Sequence, residues 1–252
     1  MNRKTFVHAA GWSAASLMIS VPFFTESASK IKAIAFDAFA IFDPVEIFKK
    51  IDELFPGKGK QIIDVWQSKQ FTYQWLRVTA NKYKNFEDVS KNALDFALAQ
   101  SGVDLSEQEK KLILATYETM NAWADVIPAL QVLKKEGLIL CFLSNMTSRI
   151  LDNGIRNSNL TEFFDHVIST DEKQTYKPSR MAYQLAIEKL KLRKEEILLV
   201  PFAGWDMAGA TWFGYPTFWL NRLNTPHEEL DARPSGIGNN LNDLVEFIKS
   251  SR

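Results

Sequence analysis

Several polar positions of the sequence lie at or just beyond the ends of apolar runs. Asp37 directly follows one such run. Ser144 and Asn145 end a second run, and Lys177 and Asp206 lie farther along the chain. Carboxylates, hydroxyls, amides and ammonium groups are side chains that enzymes use to bind small molecules and to transfer protons or electron pairs. If the fold brings these positions together, they form a binding or catalytic site.

The elements that would position these side chains alternate between strands and helices. Short apolar runs predict strands at residues 31–36, 138–143, 166–169, 197–202 and 217–220. Helical periodicity predicts intervening helices, including those at residues 128–135 and 179–190. The alternation indicates an α/β fold with a Rossmann-like parallel sheet. Because ligands bind outside the carboxyl ends of the strands in such sheets, we expect the polar positions to converge there.

A long helical stretch interrupts this alternation after the first strand. Periodicity and capping residues predict four helices, at residues 45–54, 61–81, 86–100 and 106–122. We interpret residues 45–125 as a helical cap over the C-terminal edge of the sheet. The core then comprises residues 30–44 and 126–252.

The N-terminus has the three-part pattern of an export signal. Arg3 and Lys4 precede an uncharged stretch at residues 9–24, and small residues follow it. A cation pair before an aromatic residue is twin-arginine-like, with Lys4 in place of the second arginine. We therefore expect residues 1–29 to be a signal peptide, and the mature chain to be periplasmic or exported without a stable membrane span. The alternative is an amphipathic or disordered arm on a cytoplasmic protein.

Composition excludes several classes of function. The 252 residues include 30 Lys+Arg and 30 Asp+Glu, so the formal net charge is zero, which argues against nucleic-acid binding. One cysteine, Cys141, excludes a disulfide within the chain and any multi-cysteine metal site. Three scattered histidines suggest no metal centre. We expect no metal and no cofactor.

The ordered set of short motifs resembles the haloacid dehalogenase superfamily, and within it the L-2-haloacid dehalogenases. The similarity runs over residues 31–244. It is carried by Ala35-Phe36-Asp37-Ala38-Phe39, Trp75-Leu76-Arg77, Phe142-Leu143-Ser144-Asn145, Tyr176-Lys177-Pro178, Tyr183 and Trp205-Asp206. The resemblance implies a small carboxylate substrate and a homodimer.

The resemblance also implies a covalent mechanism. Asp37 would attack the halogen-bearing carbon and form an ester, which water then hydrolyses. Lys177 would be the cation that favours the ionised nucleophile. Asp206 would orient Lys177 and help position the water. From the residues alone, the less favoured alternatives are a surface lysine for Lys177 and a helix N-cap for Asp206.

The same resemblance assigns the substrate contacts. Ser144 and neighbouring backbone amides would hold the carboxylate, although an N-cap is the alternative for Ser144. Asn145, Trp205 and a cap residue, here Gln67, would hold the halide. Two aromatic residues complete the predicted binding set, Phe39 and Tyr183. Tyr183 could also be ordinary helix packing.

The sequence departs from the family pattern at several of these places. Ile41 replaces a threonine that bonds the nucleophile, and Gln67 replaces the halide-binding arginine of the cap. The serine and asparagine that place the hydrolytic water correspond to Pro201 and Ala203. Two cap cations could stand in for the lost arginine, namely Lys69 and Arg77.

Three functions therefore compete with dehalogenation of 2-haloacids. Phosphatases of the superfamily need two further aspartates, but Phe39 and Phe202 occupy those positions and can neither transfer protons nor ligate magnesium. A capped hydrolase with a different substrate would use the same centre. An exported binding protein would keep the fold without turnover.

Overall fold

The computed structural model describes residues 30–251, and the predicted signal at residues 1–29 lies outside them. Four parallel strands form the central sheet. They are β1 (Ala33–Phe36), β2 (Ile139–Ser144), β3 (His166–Ser169) and β4 (Ile197–Val200), in the spatial order β3-β2-β1-β4. All four strands are rich in apolar residues because helices cover both faces of the sheet. The predicted parallel α/β core is confirmed.

Strand register fixes where the polar positions emerge. Phe36 at the end of β1 lies opposite Phe142 of β2 and Val200 of β4. The next residue, Asp37, donates its backbone N–H to the Val200 carbonyl at 3.0 Å. The ends of β1 and β4 are therefore level, β2 continues to Ser144 at the same edge of the sheet, and the residues that follow these strands are neighbours in space.

The core helices pack on the two faces of this sheet. They are α1 (Ala38–Ile41), α6 (Val126–Lys135), α7 (Ser148–Asn157), α8 (Arg180–Leu190), α9 (Gly204–Phe213) and α10 (Leu241–Ser250). Alternate strand residues face opposite sides, so Phe36 and Phe142 join one apolar cluster while Ala35 and Cys141 join the other. Cys141 is fully buried, and burial raises the pKa of its thiol.

Four helices lie between α1 and α6. They are α2 (Val45–Leu54), α3 (Gly59–Thr79), α4 (Phe86–Gln100) and α5 (Glu107–Ala115). The two chain segments that connect them to the core pair with each other, since Asp43 N–H donates to the Asn121 carbonyl at 2.8 Å and Trp123 N–H to the Ile41 carbonyl at 3.0 Å. The insertion therefore leaves and re-enters the core at one place.

One predicted helix end and one predicted sheet pairing are wrong. The helix expected at residues 106–122 ends at Ala115 and is followed by a 3₁₀ turn, Thr116–Glu118. There the Thr116 hydroxyl donates to the Ile113 carbonyl, and such bonding by threonine favours helix ends. The predicted strand at 217–220 pairs mainly outside the central sheet. As β5 (Phe218–Leu220) it pairs with β6 (Gly236–Gly238), which the sequence analysis missed, and one bridge, Leu199 to Thr217, joins it to β4.

Among residues 30–251, no helix is both long and apolar enough to cross a membrane.

Candidate functional site

Asp37 emerges from β1 and begins α1. Its carboxylate caps that helix, because Oδ2 accepts the Phe39 N–H at 3.0 Å. The side chain remains 17% exposed, which leaves it accessible from the space beneath the inserted helices. A carboxylate fixed by a backbone donor on a strand end is well placed to meet a ligand.

Lys177 lies beside Asp37 and is fully buried. Its ammonium Nζ is 2.9 Å from Asp37 Oδ1 and 2.7 Å from Asp206 Oδ2. Burial lowers the pKa of Lys177, but the charges and hydrogen bonds of the two carboxylates outweigh this effect and leave the pKa above its ordinary value. The lysine is therefore protonated at neutral pH and forms ion pairs with both acids.

Asp206 lies in the first turn of α9 and is 1% exposed. Burial raises the pKa of this carboxyl group, while Lys177 and the Tyr183 hydroxyl act in the opposite direction. Tyr183 donates to Asp206 Oδ1 at 2.8 Å, so both carboxylate oxygens have a partner. With Asp37 and Asp206 both ionised, the three charged groups carry a net charge of −1.

Tyr183 is fully buried behind Asp206, and it is not among the residues that line the cavity next to Asp37. Its backbone carbonyl accepts the Tyr215 hydroxyl at 2.6 Å, and its own hydroxyl is held against α9. A side chain at Gly209 would place its Cβ 2.6 Å from that hydroxyl, which explains the glycine at this position. Tyr183 is thus a positioning residue for Asp206.

Ser144 and Asn145 follow β2 at the same edge. The Ser144 hydroxyl accepts the Met146 N–H at 3.1 Å. Asn145 Oδ1 accepts the Lys177 backbone N–H at 2.8 Å, and its Nδ2 donates to Gln74 of α3 at 3.2 Å. Asn145 therefore links the lysine loop, the sheet edge and the cap, a role that its sequence position alone does not indicate.

A cavity of about 230 Å³ lies between this edge and the inserted helices. Its lining from the core includes Asp37, Phe39, Ser144, Asn145, Met146, Phe202, Ala203, Trp205, Asp206 and Leu223. Its lining from the insertion includes Phe48, Gln67, Gln70, Phe71, Gln74 and Phe86. Most of the surface is apolar, and the carboxylates lie at its base. A small molecule with an apolar part and one polar end fits this arrangement.

Comparisons with known proteins agree with this architecture. The family model for haloacid dehalogenase-like hydrolases matches residues 17–214. The chain belongs to the haloacid dehalogenase-like hydrolases. It is 36% identical over 222 residues to the (S)-2-haloacid dehalogenase of Pseudomonas sp. strain YL, which covers 88% of this chain and 96% of that protein.

Solved structures of this family superpose on the fold. A crystal structure of an L-2-haloacid dehalogenase matches with a TM-score of 0.86 and 34% identity, covering 88% of this chain and 100% of the other. The L-2-haloacid dehalogenase of Xanthobacter autotrophicus, with chloropropionic acid covalently bound, matches with a TM-score of 0.81 and 28% identity, at the same coverage. The resemblance inferred from the motifs is confirmed.

Within this family fold, the cap presents amides to the cavity. Gln67, Gln70 and Gln74 have the spacing of one helix face and all line the cavity. Gln70 bonds Ser90 and accepts the Tyr117 hydroxyl, and Gln74 bonds Asn145. Gln67 has no hydrogen-bond partner within residues 30–251, so its amide is free to bind a ligand.

Lys69 and Arg77, the two cations that could replace the family's cap arginine, do not line the cavity. Lys69 lies over the Phe96 ring, with its Nζ 4.3 Å from the ring centroid. Arg77 donates to Asn92 and to the Lys82 carbonyl. Among the described residues that line the cavity there is no lysine or arginine, so the expectation that Lys69 or Arg77 replaces the arginine is wrong.

The two phenylalanines at phosphatase positions also line the cavity. The Phe39 and Phe202 rings lie 5.9 Å apart, centroid to centroid, beside Asp37. In the described part of the chain, no three His, Cys, Asp or Glu side chains are grouped as a metal site would require.

Trp205 packs edge-on against Phe71 and Trp75, while Trp75 Nε1 donates to the Lys177 carbonyl at 3.2 Å. These contacts hold the inserted helices against this edge of the sheet.

Proposed function

We propose that this protein is a hydrolytic dehalogenase of (S)-2-haloacids. The observation that carries the proposal is the buried Lys177 ammonium between Asp37 and Asp206, at the base of a small capped cavity. Relatives of this fold are named for the same activity, and one of them holds chloropropionic acid covalently. A nucleophile with an adjacent cation suits displacement at a carbon bearing a leaving group.

In the first step, an oxygen of Asp37 attacks C2 of the haloacid, and the carbon–halogen bond breaks with its electron pair leaving on the halide. The product is an ester between Asp37 and the substrate. Lys177 balances the negative charge of the nucleophile, and the hydrogen bond from Tyr183 keeps Asp206 aligned with that lysine. The second step is attack of water on the ester carbonyl carbon, which releases a 2-hydroxyacid.

The cavity wall provides the substrate contacts. Ser144 and backbone amides near it bind the carboxylate. Gln67, Asn145 and Trp205 provide N–H groups for the departing halide, and Phe39 packs against the apolar part of the substrate. Because Gln67 is neutral, its hydrogen bond to halide is weaker than a charge-assisted bond by roughly a factor of two.

Halide release tests the proposal. The full chain is incubated with (S)-2-chloropropionate and with 2-haloacetates, beside Asp37→Asn and the control Asp64→Asn. Asp64 is an exposed carboxylate of α3 paired with Lys60. We expect halide from the wild type and from Asp64→Asn, and none from Asp37→Asn. Absence of halide from the wild type across all these substrates would reject the function.

We also propose that residues 1–29 direct export to the periplasm and are then removed. The cations Arg3 and Lys4 before an uncharged stretch support this. Cell fractionation and the mass of the mature chain test it. A chain with an intact N-terminus in the cytoplasmic fraction would contradict it.

A homodimer is proposed as well, supported by exposed apolar side chains of the cap such as Leu76 and Leu112. Light scattering at several concentrations measures the mass in solution. A monomer at every concentration would contradict this assembly.

A further inference from the structure

Two consecutive residues of α3 reach the backbone of the lysine that lies between the two carboxylates. Trp75 donates to the Lys177 carbonyl directly. Gln74 reaches the Lys177 N–H through the side chain of Asn145. Resting on the function proposed above, we infer that Gln74 and Trp75 are positioning residues, which hold Lys177 where its ammonium meets the nucleophile. The cap then acts on the reaction by placing a residue of the core as well as by enclosing the substrate.

The side chain of Trp75 is held where its one donor meets the lysine segment. Its Nε1–H donates to the Lys177 carbonyl at 3.2 Å and is the only polar group of the indole. The ring packs edge-on against Trp205 of α9, with centroids 5.5 Å apart, and stacks on Phe71 with centroids 6.1 Å apart. Because these rings set the direction of the N–H, the bond to Lys177 depends on how α3 docks on α9.

Asn145 carries the second contact from the cap to the backbone of Lys177. Its Oδ1 accepts the Lys177 N–H at 2.8 Å and the Thr170 hydroxyl at 3.2 Å. Its Nδ2 can only donate, and Gln74 Oε1 accepts from it at 3.2 Å. Gln74 and Asn145 are both buried, so water competes little for these bonds. Gln74 therefore keeps the acceptor side of the Asn145 amide turned towards Lys177.

The residue before the lysine is also tied to the cap. Tyr176 is buried, and its hydroxyl donates to the carbonyl of Lys84 at 2.8 Å, in the loop between α3 and α4. In the same loop the Tyr83 hydroxyl donates to Asp171 at 2.6 Å, and the Tyr83 ring packs on Tyr176 with centroids 5.2 Å apart. The cap thus anchors two successive residues of the segment that carries the lysine.

A fixed backbone matters at Lys177 because the ammonium ends a flexible four-carbon stem. Nζ lies 2.9 Å from Asp37 Oδ1 and 2.7 Å from Asp206 Oδ2, both within the range of strong charge-assisted bonds. A backbone shift of about 1 Å would lengthen at least one of these bonds beyond that range. Misplacement of a reacting group by about 1 Å costs about 10²-fold in rate. The cap contacts act on the reaction through this geometry.

Single-turnover release of bromide from (S)-2-bromopropionate by the full chain tests the inference. Trp75→Phe keeps an aromatic ring but removes the N–H, and Gln74→Met keeps the side-chain length but removes the acceptor. The matched controls Trp212→Phe and Gln61→Met change exposed residues. We expect the maximal rate to fall about 10- to 100-fold in Trp75→Phe and in Gln74→Met. The substrate concentration that gives half the maximal rate should change little, and the controls should match the wild type.

The amplitude and the rate of release separate positioning from a purely structural role. A structural role reduces the fraction of chains that release bromide, but the chains that still react do so at the wild-type rate. Wild-type maximal rates in Trp75→Phe and Gln74→Met would overturn the inference. So would a raised half-saturating concentration at an unchanged maximal rate, because that result describes a contact with substrate.

A measurement without substrate separates the inference from the proposed function. If Trp75 positions the ammonium, Trp75→Phe loses its own hydrogen bond and also weakens the ion pairs of Lys177. In a Lys177→Met background the ion pairs are already absent, so Trp75→Phe should shift the urea midpoint less there than in the wild type. Equal shifts in the two backgrounds would contradict the inference. If the wild type releases no bromide, the proposed function has failed, and the urea midpoints alone decide whether Trp75 positions Lys177.

Discussion

Replacing Lys177 with methionine removes the cation that two buried carboxylates share. Methionine is unbranched and fills the space of the lysine stem, so the change is mainly one of charge. Asp206, 1% exposed, then keeps the Tyr183 hydroxyl but loses the ammonium at 2.7 Å, and Asp37 loses the same partner at 2.9 Å. Breaking a buried ion pair by removing one member costs about 3–5 kcal/mol.

The loss of unfolding free energy in Lys177→Met should depend on pH, and the structure determines the direction. Burial raises the pKa of Asp206, and in Lys177→Met no ammonium opposes that effect. Between the unfolded and the folded pKa, the native state then binds more protons than the unfolded state, so the free energy of unfolding falls as pH rises. The variant should therefore be least stable relative to wild type at neutral pH, and the difference should shrink towards pH 5, where Asp206 is more protonated.

Urea unfolding of the wild type, Lys177→Met and Lys60→Met at pH 7 and pH 5 measures the free energy of unfolding of each protein. Lys60 is exposed and pairs with Asp64 on the surface, so its loss should change the free energy of unfolding by less than about 0.5 kcal/mol. The same samples are assayed for bromide release, which should be lost in Lys177→Met alone. A Lys177→Met protein within about 1 kcal/mol of wild type at pH 7, or a difference that grows on acidification, would refute the reasoning.

Three further substitutions address the cap and the support of Asp206. Gln67→Arg places a cation in the cavity and should speed bromide release in a single turnover about fivefold, given roughly 1 kcal/mol between neutral and charge-assisted bonds. An unchanged single-turnover rate would contradict a halide contact. Tyr183→Phe removes the 2.8 Å bond to Asp206 and should lower the free energy of unfolding by about 1–3 kcal/mol, while wild-type stability would contradict the positioning role. Gly209→Ala places a Cβ 2.6 Å from the Tyr183 hydroxyl and 2.7 Å from Pro178 Cβ. It should lower the free energy of unfolding in urea by about 1–3 kcal/mol, and wild-type stability would contradict this close packing.

The convergence of Asp37, Lys177 and Asp206 could be predicted because it follows from topology. Residues that leave parallel strands at their carboxyl ends share one edge whatever the loops between them do. The role of Tyr183 could not be predicted in this way. It depends on how α8 packs against α9, a contact between helices whose relative orientation periodicity does not determine.

The cap shows the same limit. Helical spacing predicts that Gln67, Gln70 and Gln74 share a face, but not that this face meets the sheet. Because spacing does not show which way a helix face points, the sequence allows Lys69 and Arg77 to enter the cavity. In the structure Lys69 lies over the Phe96 ring, and Arg77 donates to Asn92. Periodicity could not predict strand β6, because Gly236–Gly238 contains only one apolar side chain.

The central claim is that Asp37 forms the bond to substrate, and isotope transfer tests it most directly. Enzyme in excess over (S)-2-bromopropionate completes one turnover in ¹⁸O-labelled water. Mass spectrometry then measures ¹⁸O in the peptide that contains Asp37 and in the 2-hydroxyacid product. The account predicts ¹⁸O in the Asp37 carboxylate and none in the new hydroxyl of the product, because water attacks Cγ and not the substrate. Label in the product hydroxyl with an unlabelled Asp37 would contradict the account.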